Sequence, residues 1–186
     1  YMNDDAQTLK IREAYKQFIV KLLMLSGYKK ADAERMRDNV MGIEMELAKV
    51  AMTRTEQRDY MAQYNIRTLA EVEKLCPNID WKQYLTAQYL PIVDSMCVMQ
   101  LKSLEKVNEL IANKSMREIK DYLIFHLVNS ASDYLGDNFR KVNFEMSSTI
   151  SGAEQDRPRW KRALSVPDGM LGEALGQIYV KNYCLL

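Results

Sequence analysis

Ile11-Arg12-Glu13-Ala14-Tyr15-Lys16-Gln17-Phe18-Ile19-Val20-Lys21-Leu22-Leu23-Met24-Leu25-Ser26-Gly27 is the stretch whose spacing sets the fold class. Ile11, Tyr15, Phe18, Leu22 and Leu25 step by four and three, which places them on one face of a helix. Gly27 stands where such a helix needs a left-handed residue to stop. Met36, Val40, Ile43, Leu47 and Val50 repeat the pattern in the next segment, with Asp32 as the expected N-cap. Two long helices joined by so short a connection predict an antiparallel hairpin.

Further along the chain the same signals recur. Thr68 with Glu71, Asp80 with Gln83, and Ser115 with Glu118 have capping-box spacing, each ahead of an apolar periodic run. Leu101, Leu104, Asn108 and Ile111 mark one helix. A helix from about Met116 is expected to turn Ile124, Val128, Ala131 and Leu135 inward and to stop at Gly136. Pro91 to Met99 has no helical face and reads as a loop or short extended piece. Val142, Phe144 and Met146 alternate with polar residues, a strand signal that ends at Ser151-Gly152. Gly152 to Pro158 reads as a loop and domain boundary. Beyond it Arg159 to Ala163 is expected to be helical, Pro167-Asp168-Gly169 to break that helix, and Leu171, Leu175 and Ile178 to mark a last one. The expectation is an all-α protein, a multi-helix bundle with long antiparallel helices and at most one short strand-like segment.

Composition narrows the function. The 186 residues carry 26 Lys+Arg against 25 Asp+Glu, so no basic field invites nucleic acid. No apolar run approaches the roughly 20 residues that span a bilayer, and Lys21 interrupts the longest, Phe18 to Leu25. Cys76, Cys97 and Cys184 are too few and too widely spaced for a zinc ribbon or a disulfide framework. Tyr1-Met2-Asn3-Asp4-Asp5 lacks the basic and apolar regions of a signal peptide, so an export signal is expected upstream if there is one.

The chemical inventory is short. His126 is the single histidine, whereas an H-E-x-x-H zinc helix needs two. Phosphate-binding glycine loops and a G-x-S-x-G elbow are missing. His126 with Cys97 or Cys184 as nucleophile would make a thiol hydrolase. An imidazole packed at the edge of a helical core is the preferred reading, because no spacing ties His126 to either thiol. Glu44 with Glu46, and Asp4 with Asp5, point in different directions on a helix and read as solvated charge or caps. Met36, Met41, Met45 and Met52 read as core filler rather than an adaptable binding surface. Arg157, Arg159, Lys161 and Arg162 surround Trp160, which reads as an exposed helix start docking into a neighbouring domain rather than an anion site. The catalytic and metal-ligand sets are therefore read as empty, and no substrate contact is assigned.

These pieces together resemble the N-terminal region of the neprilysin and oligoendopeptidase O family of zinc metallopeptidases. The stretch from Asp4-Asp5 to Tyr15, continuing through Phe18 to Tyr28, is similar to the family's first lid helix. Ile43-Glu44-Met45-Glu46-Leu47-Ala48 resembles an internal helix, followed by Arg58-Asp59, Tyr64-Asn65 and Thr68-Leu69. Leu75-Cys76-Pro77-Asn78-Ile79-Asp80-Trp81 resembles a family turn. Ser151-Gly152, Pro158-Arg159-Trp160-Lys161-Arg162 and Leu171 through Val180 resemble the family's domain junction.

The resemblance implies that residues 1–152 are a helical lid domain and 153–186 a linker and first helix leading to a catalytic domain. It implies zinc in that parent domain and no cofactor in this region. The implied partners are the catalytic domain of the same polypeptide and the parent's peptide substrates. Self-association of the isolated region is expected, since apolar surface would be uncovered. Ala163 stands where animal members carry a cysteine, which fits a bacterial member; an extracytoplasmic parent is favoured over a cytoplasmic one, and the compartment stays open. Tyr183-Cys184-Leu185-Leu186 departs from the usual continuation and is read as a truncation or boundary. The alternative is an independent helical module that binds a partner helix or peptide.

Overall fold

Asp5 opens the first helix of the computed structural model, which describes residues 3–184: its carboxylate accepts the Thr8 N–H at 2.9 Å, capping α1 (Ala6–Leu25). At the other end Gly27 takes φ +95° and the Tyr28 N–H returns to the Leu23 carbonyl at 3.1 Å, closing the helix as expected. The second helix, α2 (Lys30–Val50), starts at once, so the connection leaves no room for a later cap. Asp32 is therefore not the N-cap. Lys29 holds that position without a side-chain bond, and Asp32 lies in the first turn, 3.6 Å from Arg35. Phe18 and Leu22 are buried as the stripe predicts, but so are Ile19 and Leu23, while Leu25 is exposed. The reason is that α1 is covered by more than one neighbour, so its buried arc is wider than one stripe and ends before the turn. Met36 and Met41 belong to the same core, among Ala33, Val40 and Ile43.

After a 3-10 turn at Glu56–Arg58 the chain forms α3 (Tyr60–Gln63), β1 (Ile66–Thr68), α4 (Leu69–Leu75), α5 (Trp81–Ala87), β2 (Ser95–Cys97) and α6 (Leu101–Asn113). The two strands pair antiparallel with Arg67 opposite Met96, so the stretch without a helical face does contain an extended piece. Thr68 and Glu71 form a complete capping box; Asp80 caps the Gln83 N–H at 2.9 Å, and among the described residues Gln83 does not return the bond. Val72, Cys76, Leu85 and Leu110 are buried here, and the Trp81 indole donates to the Cys76 carbonyl at 3.0 Å.

The next long helix, α7 (Met116–Ala131), starts at the Ser115–Glu118 capping box and packs against both α1 and α2. Phe125 is fully buried, with ring centroids 6.1 Å from Tyr15 and 6.3 Å from Phe18, both edge-on. Ile124 and Val128 pack against this core, but Leu135 is exposed, contrary to expectation. The helix ends at Ala131 and tightens into a 3-10 turn at Ser132–Tyr134, which carries Leu135 off the inward face. The predicted strand at Val142 to Met146 is instead part of α8 (Asp137–Ser151). Phe139, Val142 and Met146 are three and four apart, and all pack on the core, so helical spacing outweighs the local alternation. Asn143 fastens this helix by donating to Ser132 Oγ and Asp133 Oδ1, both at 2.8 Å.

The chain divides into two compact units after Met146. In the second unit Gly152 turns the chain at φ +73°, and α9 (Arg159–Met170) and α10 (Gly172–Tyr183) follow. Pro167 does not break α9, which runs on to Met170. Proline removes one N–H, and the Ala163 carbonyl it would have met belongs to an exposed residue and can bond water. None of the described side chains of α9 or α10 is buried. The terminal pairs Tyr1-Met2 and Leu185-Leu186, which the reading of the chain ends invoked, lie outside the described residues.

Candidate functional site

Polar chemistry concentrates in the seam where α2 meets α7. Glu44, on α2, is not the solvated charge its sequence context suggests: only 11% of its side chain is exposed. Its Oε1 accepts the Tyr15 hydroxyl of α1 at 2.8 Å and lies 3.3 Å from His126 Nε2 of α7, without the alignment of a hydrogen bond. The imidazole rests against Tyr122, with centroids 4.3 Å apart, and edge-on to Phe125. Burial, and then the Glu44 charge, push the Tyr122 hydroxyl above the ordinary phenol range.

One turn away on the same seam, the buried Asp121 carboxylate takes Asn39 Nδ2 at 2.7 Å and the Arg35 guanidinium, both from α2. Glu46 leaves the seam in another direction, to Lys114 at 3.2 Å, while Glu118 meets the same ammonium at 3.5 Å. The hydrogen bond from Glu46 raises the Lys114 pKa. Glu44 and Glu46 thus serve different partners, and Asp4 and Asp5 do too: Asp4 pairs with Arg12 at 3.4 Å and Asp5 caps α1.

The thiols are no more convergent. Cys76 is buried, and burial pushes its pKa up, the wrong direction for a nucleophile. Cys97 is exposed on β2 and its sulfur lies 3.4 Å from the Gln63 carbonyl, whereas His126 faces the α2–α7 seam. Cys184 follows α10 in the second unit and is exposed. Trp160 is exposed as predicted, with Lys161 Nζ 5.4 Å from its ring. Among the described residues no group of three or more His, Cys, Asp and Glu converges to hold a metal ion. A catalytic zinc needs three protein ligands. The residues present do not fit one.

Sequence reasoning missed Asp121 and Glu44 as interhelical polar anchors. Their partners are 82 to 86 and 29 residues away, so no local motif announces them.

The described residues form a helical scaffold with a polar seam between α2 and α7. The family model described as Peptidase family M13 matches residues 1–184, and the chain belongs to that family, in its N-terminal region. It is 29% identical over 185 residues to the neutral endopeptidase of Lactobacillus helveticus, covering 96% of this chain and 29% of that one. It is 28% identical over 153 residues to Neprilysin-1 of Caenorhabditis elegans, covering 78% of this chain and 20% of the relative. Among solved structures, the zinc metalloprotease Zmp1 of Mycobacterium tuberculosis in its open state superposes with a TM-score of 0.90. That match has 25% identity and covers 97% of this chain and 29% of that one. The chain thus spans less than a third of the length of these relatives.

Proposed function

We propose that this chain is the non-catalytic helical region of a zinc endopeptidase, a lid that faces the catalytic domain across a cavity and limits the size of substrates that enter. The observation that carries the reading is the near-complete match to one end of much longer peptidases. Residues 1–152 form the lid, and 153–186 lead to the catalytic domain. Exposed Trp160, Leu164, Leu171, Leu175, Ile178 and Tyr179 support this reading, because an apolar surface of this kind is expected where a neighbouring domain is normally seated. Zinc and the general base belong to the catalytic domain, whose metal supplies an activated water; the residues described here contribute shape and access.

The downstream gene is the decisive test. An H-E-x-x-H motif is expected within roughly 250 residues of Leu186. Its absence would leave an independent helical interaction module. Stoichiometric zinc binding or peptide cleavage by the purified 186-residue chain would overturn the proposal.

A further inference from the structure

Seen along its axis, α7 has two different faces. Asp121 and Phe125 are buried, and Tyr122, Ile124 and Val128 pack against the core. The exposed residues of the helix are Met116, Arg117, Lys120, Leu123, Leu127 and Ser130. Arg117 apart, they step by four and three, so they form one stripe directed away from the core. A solvent-facing stripe is normally polar. Here its centre is apolar: Leu123 and Leu127 are 59% and 69% exposed. Met116 at one end is exposed too, as is Tyr134 in the 3-10 turn past the other.

The charges on this side run the wrong way for a helix on its own. Arg117 and Lys120 stand near its amino end, Asp133 follows its carboxyl end, and the last turn holds no basic residue. The helix dipole favours the opposite order. Glu118 is the exception, and it is held in the capping box and by Lys114. Among the described residues no ion pair uses Lys120 or Asp133.

The stripe is also its own complement. Met116, Lys120, Leu123, Leu127, Ser130 and Tyr134 are spaced alternately four and three apart, a series that reads the same in both directions. Laid antiparallel on itself about the level of Phe125, it sets Leu123 opposite Leu127, Met116 opposite Tyr134 and Lys120 opposite Ser130. Asp133 lies three residues beyond Ser130, about 4.5 Å along the axis and within reach of a lysine side chain.

We propose that the outward face of α7 is a docking surface for a second copy of this chain, in an antiparallel two-fold pair. A two-fold partner must present the same patch to itself, and this patch matches itself in register, apolar layers and charge. Lys120 then lies at the carboxyl end of the partner helix and Asp133 near its amino end, where the dipoles favour both. One helix pair buries less than the roughly 1,200–2,000 Å² of a stable interface, so the pairing is weak, with Kd on the order of 10–100 µM. All of these residues belong to the first compact unit, and none is among the apolar side chains of α9 and α10 that the lid reading uses.

Sedimentation equilibrium of the 186-residue chain from about 5 to 500 µM should show a monomer–dimer equilibrium. Leu123→Gln/Leu127→Gln changes two exposed positions, so it should keep the helical circular dichroism and weaken pairing at least about tenfold. Lys120→Glu sets like charge against the partner's Asp133, and Asp133→Lys does the same against the partner's Lys120. Each should weaken pairing about three- to tenfold, while Lys120→Glu/Asp133→Lys should return it to within about threefold of the parent. A chain that stays monomeric to about 500 µM would overturn the proposal. So would pairing unchanged in the leucine double variant, which would put the contact on another surface such as α10, or a charge-swapped variant no better than either single one.

Discussion

Replacing Asp121 by alanine is the perturbation that probes the α2–α7 seam most directly. The side chain is 7% exposed and its carboxylate holds both Asn39 and Arg35. Truncation removes one charge-assisted bond to each and leaves a guanidinium facing a gap. Breaking a fully buried pair costs about 3–5 kcal/mol. Arg35 is one-third exposed and can turn to water, so the cost falls below that range, to about 2–3 kcal/mol. For a chain of this size that corresponds to a fall in Tm of roughly 5–10 °C. Thermal and urea unfolding followed by helical circular dichroism measure it. Asn39→Ala should cost about 1 kcal/mol alone, and the double variant should cost less than the sum, because both changes remove the same bond. A Tm within about 2 °C of the parent for Asp121→Ala, or strict additivity, would refute the claim that this carboxylate fastens α7 to α2.

Ser115→Ala removes the cap of α7 and should cost about 1 kcal/mol, read by urea unfolding. Gly27→Ala puts a Cβ at φ +95°, where space is open but the backbone is strained, and should destabilise by about 1 kcal/mol. Hydrogen bonds from Thr68 and Ser115 hold the Glu71 and Glu118 carboxyls below their usual range. Folded values below unfolded ones mean a stabilisation present above the unfolded pKa, about 4.3, and lost as pH falls through the folded one. The Tm of the parent should therefore fall between about pH 5 and pH 3 more steeply than that of Glu71→Gln/Glu118→Gln. A thiol reagent should modify Cys97 and Cys184 quickly and Cys76 only on unfolding, because Cys76 is buried with its pKa raised.

Local signals located most of the helices. Asp5, Thr68, Asp80 and Ser115 cap the helices they precede, and Gly27 ends α1, because capping and left-handed turns are settled within four or five residues. The same locality explains the errors. Alternation over Val142 to Met146 is as compatible with a strand as with a helix until Phe139 and Met146 meet a core supplied by α1, α2 and α7. Pro167 signals a break, yet an exposed helix accommodates it.

Caps, stripes and turns sufficed for a helical fold, the resemblance of sequence blocks from Asp4 to Val180 pointed to the peptidase family, and the lone His126 cannot by itself supply an H-E-x-x-H centre. Only the folded chain decided that Phe125 completes the core and that Asp121 and Glu44 bind helices together. Helix starts and stops depend on neighbours in the chain. Burial and pairing depend on neighbours in space, and those lie 29 to 86 residues away along the sequence.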